Sequence, residues 1–152
     1  MSLLTAIRIS GTGLSAERIR LNVASMNIAN AEVTKTLDGG PYRARSVIFT
    51  SEPLDDAGTL PGWTDNIPFQ SELEEVLRGV AVTEIVEDPD AFKEIYDPAH
   101  PDADERGIVL MPNVNVMEQM VDMMTASRAY EANITAIQTA KAMAMKALDI
   151  AR

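Results

Sequence analysis

The sequence predicts a mainly α fold with a small β insertion: long N- and C-terminal helices pairing as a coiled coil, around a short-stranded, loop-rich middle. Three observations carry this. Apolar residues recur every three or four positions along both ends of the chain. Seven of the eight prolines lie between those ends. Charge follows the same division, with a net of +2 over residues 1–36, -12 over 37–108 and 0 over 109–152. Charged residues are depleted from buried contacts, so near-neutral ends suit packing against other helices. The acidic middle suits a solvated surface.

The first helix is expected from Ser2 to Asn30. Ile7, Leu14, Leu21 and Ile28 recur every seven residues. A second series runs Ile9, Thr12, Ala16, Ile19, Val23, Met26 in steps of three and four. Neither fits the two-residue period of a strand. The two series lie on different faces, whereas a monomeric surface helix usually shows one stripe. Gly11 and Gly13 each cost about 1 kcal/mol relative to Ala inside a helix, and mark a kink or a close approach. The Gly39-Gly40-Pro41 run then breaks the pattern. At ~1.5 Å per residue this helix would be roughly 43 Å long.

The second helix is expected from Val116 to Ile150. Asn115 and Glu118 have capping-box spacing, with Asn in place of Ser or Thr. One series reads Val116, Met120, Met123, Ser127, Tyr130, Ile134, Ile137, Lys141, Ala144, Leu148. Another reads Ala126, Ala129, Asn133, Ala136, Ala140, Met143, Ala147, Ile150. One face is therefore bulky and the other nearly all alanine, both at heptad spacing. An alanine seam lets helix backbones approach closely. Two helices in one chain would each leave a second face bare, and such a face implies partners.

In the middle, Tyr42–Thr50, Gly79–Glu87 and Gly107–Met111 read as strands. Residues 51–70 and 88–106 read as loop, and Ser71–Arg78 as a short capped helix or a charged strand edge. A segment of this size with so many loops cannot bury a large core alone. The chain thus divides into an N-terminal arm (1–36), an acidic insertion (37–111) and a C-terminal arm (112–152).

Composition excludes much chemistry. The chain has no cysteine, so disulfides, Cys-ligated zinc and thiol nucleophiles are impossible. One histidine excludes a multi-His metal site. A net charge of -10 argues against non-specific nucleic-acid binding. His100 sits among carboxylates but reads as a solvated loop histidine. Asp102–Gly107 lacks the ligand pattern of a calcium loop. No phosphate-binding glycine motif or nucleophile elbow occurs. No cofactor, metal or catalytic residue is expected. No cleavable signal peptide is visible, and no stretch reaches the ~18 apolar residues of a membrane span.

Several runs carry a family resemblance. Leu21–Ala31 reads LNVASMNIANA, and Gly40–Arg45 reads GPYRAR. Tyr96-Asp97-Pro98 with Pro101, then Gly107–Val116 (GIVLMPNVNV) and Met123–Asn133 (MMTASRAYEAN), follow in order. Together they resemble the proximal rod proteins of the bacterial flagellar basal body, within the rod and hook axial family. The common rod and hook form has Thr-Pro-Gly-Tyr soon after the Asn-Ala element. Here Glu32–Pro41 intervenes before Tyr42, which resembles the C-type rod subunits. Residues 51–78 are the least family-like.

The resemblance implies a non-enzymatic axial subunit of the rod, the drive shaft that transmits motor torque. It implies export by the flagellar type III apparatus through an uncleaved signal, then periplasmic assembly with copies of itself and other rod proteins. The two arms would form the inner tube and the insertion the outer layer, with no nucleic acid bound and no membrane insertion. Expected packing residues are Ile7, Leu14, Leu21, Ile28, Met120, Met123, Tyr130, Ile134, Ile137 and Leu148. Ala126, Ala129, Ala136 and Ala140, with Asn133 in the same row, would give close helix approach. Asn27 and Asn30 would bond across subunits or cap the helix. The rival readings are a soluble coiled-coil adaptor or chaperone, and an acidic hydrolase using His100.

Overall fold

The computed structural model describes residues 3–37, 39–54, 77–90 and 92–150, with side chains from Thr5 onward. Helix α1 spans Leu3–Ala29 and helix α2 spans Val116–Ile150. Between them lie β1 (Arg45–Pro53), β2 (Arg78–Glu87), β3 (Lys93–Tyr96) and β4 (Ile108–Met111). β1 pairs with β2, and β3 pairs antiparallel with β4, from Lys93↔Met111 to Tyr96↔Ile108. The chain divides into two compact units. One comprises residues 1–17, 49–83 and 128–152, the other 18–48 and 84–127. Each unit therefore draws on both helices and on the insertion.

Both helices fall where periodicity puts them. α1 stops because Asn30 closes its end. The Asn30 backbone N–H and side-chain Nδ2 both donate to the Met26 carbonyl, at 3.1 and 2.8 Å. That satisfies a carbonyl the helix would otherwise leave orphaned. α2 begins with the Asn115 carbonyl accepting from the Gln119 N–H at 3.0 Å.

The insertion differs from expectation in one element. Lys93–Tyr96 lies in the segment read as acidic loop, yet it is a strand. Its four residues turn only Ile95 partly inward, so its apolar signal is a single residue. The hairpin is closed by Gly107, whose φ of +74° suits a residue without Cβ. Its N–H donates to the Asp104 carbonyl at 2.8 Å, while the Asp104 N–H donates to the Ile108 carbonyl at 3.0 Å. β1 starts at Arg45 rather than Tyr42, because the Tyr42 N–H bonds back to the Val33 carbonyl. Residues 55–70, read as loop, and 71–76, read as a short capped helix or a charged strand edge, lie outside the described residues.

Candidate assembly surfaces

In the unit formed by 18–48 and 84–127, α1 and α2 run antiparallel. Arg20 meets Asp122 (Nη2 to Oδ1, 2.9 Å), and further along Asn27 Nδ2 donates to Gln119 Oε1 at 2.9 Å. Asn27 is 1% exposed and uses all of its polar capacity inside the chain. Its Nδ2 also donates to the Arg45 carbonyl at 2.7 Å. Its Oδ1 accepts from the Arg45 N–H and the Tyr42 hydroxyl, both at 2.9 Å. Two donors and two acceptors are the full complement of a carboxamide. The side chain thereby imitates a strand neighbour for Arg45 and ties α1 to α2, β1 and the Tyr42 loop.

Asn27 therefore takes neither expected role, a bond across subunits or a helix cap, within the chain. The physical reason is saturation: no hydrogen-bonding position is left for a neighbour. Asn30 takes the other expected role and caps the helix end. Burial pushes the Tyr42 hydroxyl above its ordinary pKa; Arg45 opposes this and Glu87 adds to it.

The β insertion covers more of α1 than the two-stripe pattern implied. In the unit built from 1–17, 49–83 and 128–152, Thr12 lies against Gly79, where an added Cβ would sit 2.9 Å from the Thr12 hydroxyl oxygen. That hydroxyl accepts from the Val80 N–H at 3.2 Å and donates to the Ile9 carbonyl at 2.7 Å. Gly13 marks a close approach to Asn133, 3.0 Å from a notional Cβ to Nδ2. From Thr5 onward the exposed positions of α1 are Arg8, Gly11, Ser15, Arg18, Asn22, Ser25, Met26 and Ala29. The rest are partly or fully covered, including Ile7, Leu14, Leu21 and Ile28.

α2 is different. Its covered row runs Gln119, Met123, Ala126, Tyr130, Asn133, Ile137, Ala140, Ala144, in steps of four and three. That row alternates between the bulky series and the alanine series. The two series are thus adjacent rows flanking one inward line, not opposite faces. Ala126 is fully enclosed and Ala140 buried; Ala129 and Ile134 are half-buried; Ala136 and Leu148 are exposed. Met117, Met120, Val121 and Met124 form an outward stripe, with Met117 72% exposed. Near the other end, Met143, Met145 and Ile150 are exposed as well.

His100 accepts the Asp102 N–H on Nδ1 at 3.1 Å and so organises the β3–β4 loop. Among the described residues no group of three or more His, Asp or Glu could hold a metal ion. No described helix is long and apolar enough to cross a membrane. Sequence reasoning singled out Asn27 but not its contacts, and it left out Tyr42, Arg45 and Gln119. The available signals were the GPYRAR run and a glutamine standing in a mostly apolar row.

Residues 7–35 match the family described as flagella basal body rod protein. Residues 105–150 match the family of the flagellar basal body rod FlgEFG protein C-terminal region. Over 99% of its length the chain is 43% identical to the flagellar basal-body rod protein FlgC of Borreliella burgdorferi, covering 98% of that protein. It is 39% identical to FlgC of Salmonella typhimurium, with 99% and 98% covered. Identity to FlgC of Bacillus subtilis is 36%, with both chains fully covered.

Proposed function

Because the chain belongs to the flagellar basal-body rod proteins, we propose that it is a structural subunit of the rod, packed with other rod proteins into the shaft that carries motor torque. The observation that carries this is the exposed apolar stripe on α2 of a chain otherwise able to fold on itself. Exposed apolar rows of this kind mark interaction surfaces. Export by the flagellar type III apparatus and assembly in the periplasm belong to the same reading. So do contacts between copies of the chain, with the arms (1–36 and 112–152) in the inner tube and residues 37–111 outside. Met120, Ala136 and Leu148 are the expected packing residues with exposed surface to offer. No observation favours an adaptor or chaperone.

Deleting the gene and imaging isolated basal bodies tests the reading. The expected result is non-motile cells whose rods are missing or truncated. Complete rods in the deletion strain would overturn it.

A further inference from the structure

Two outward faces in the unit of residues 18–48 and 84–127 are complementary to each other. The α1 segment 18–29 carries Arg18 and Arg20 and no acid. The α2 segment 116–127 carries Glu118 and Asp122 and no base. Inside the chain Arg20 and Asp122 take each other, at 2.9 Å. Arg18 and Glu118 both stand exposed, one on each helix.

The faces also differ in bulk. Glu118 sits beside Met117 and Val121, within the outward methionine stripe. Arg18 heads an outward row continuing through Asn22, Ser25 and Ala29, where side chains are small. We propose that the Glu118–methionine face of one chain docks on the Arg18 face of a second copy. This rests on the rod-subunit reading and names the partner of its exposed stripe. Opposing like faces would bring Glu118 against Glu118 or Arg18 against Arg18, which charge disfavours. A contact between unlike faces is head-to-tail and continues from copy to copy without having to close, as a helical tube requires. In a polar tube every copy points the same way. The α2 of one chain therefore meets its neighbour's α1 antiparallel, the sense in which the two helices meet inside the chain.

The chain has no cysteine, which makes a clean crosslinking test possible. Two full-length variants, Arg18→Cys and Glu118→Cys, are expressed together in a strain lacking the native gene, and isolated basal bodies are oxidised. The expected product is a disulfide-linked dimer containing both cysteine peptides, absent when either variant is expressed alone. Basal bodies that contain both variants but yield no mixed dimer overturn the contact and leave the rod reading standing. If the unaltered chain is missing from basal bodies, the rod reading fails instead. Charge exchange covers the case in which cysteine variants do not incorporate. Arg18→Glu and Glu118→Arg should each lower incorporation roughly tenfold, and the double exchange should restore it to within about twofold. Loss in the double variant as deep as in the singles overturns the proposal.

Discussion

α1 and α2 are both long, methionine-containing and nearly neutral in charge, yet the fold uses them differently. α1 is a strut. It is flanked by α2 and by the strands, and beyond Thr5 it exposes a row of mostly small or polar residues, Met26 excepted. α2 is covered along one line and shows methionines on its outer side. A heptad pattern reports that a face is buried in something, and the same pattern serves a partner inside the chain or outside it. The faces α1 lends to its own strands are saturated. The face α2 leaves open is the apolar half of the proposed contact, and the small, polar outer row of α1 is the other half.

The sharpest way to break this contrast is to remove the node that fixes α1. Asn27→Ala strips partners from the Arg45 backbone, the Tyr42 hydroxyl and Gln119 together. Each buried polar group left unpaired costs about 1–3 kcal/mol, so a loss of about 3 kcal/mol in urea unfolding is expected. A loss below about 1 kcal/mol would show that the node only decorates the helix contact.

Ala126 and Ala136 then separate the two sides of α2. Ala126→Leu pushes three extra carbons into a fully enclosed site and should cost about 1–3 kcal/mol. Ala136→Leu lies on exposed surface and should change stability by no more than about 0.5 kcal/mol. Its effect belongs in the rod, where a leucine in the seam should block incorporation. Normal motility with Ala136→Leu would remove that alanine from the packing seam.

Tyr42 gives the contrast a pH signature. Burial raises its pKa in the folded chain, so the unfolded chain releases the phenolic proton first. The stability from keeping Tyr42 neutral is fully present below about pH 10 and is lost as pH rises through the higher folded value. Tyr42→Phe should lower stability at neutral pH by about 1 kcal/mol through the lost bond to Asn27. It should also flatten the alkaline fall in urea midpoint. An unchanged alkaline slope in the variant would assign that fall to other groups.

Periodicity and breakers were enough to place both helices, because each is long and its apolar rows repeat many times. Three strands were legible through apolar or alternating runs such as GVAVTEIVE and GIVLM. β3 was not, since four residues with one inward isoleucine carry no period. Partner choice was the illegible part of the packing surfaces. The step from Asn27 to Asn30 showed that two amides share a stretch of helix. It could not show that one faces Arg45, Tyr42 and Gln119 while the other folds back on Met26. The alanine and bulky rows likewise looked like two faces, because spacing fixes angle along a helix but not where the neighbour's axis lies. Here that axis lies between them.

The smallest effect tests α1 alone, by comparing its two glycines. Both lose about 1 kcal/mol of helix propensity relative to alanine. Gly11 is exposed, and an added Cβ meets nothing within 4 Å. Gly11→Ala should therefore stabilise the chain by about 0.5–1 kcal/mol. At Gly13 the same gain meets a cost, because the new methyl would sit 3.0 Å from Asn133 Nδ2 and the amide must move. Gly13→Ala should gain little or lose slightly, and adding Asn133→Ala should recover part of the gain by removing the obstructing amide. Equal rises in urea midpoint for the two single variants would mean that Gly13 is not pressed against α2. That stretch of α1 would then be held by its strand contact at Gly79 and Val80, rather than by the other helix.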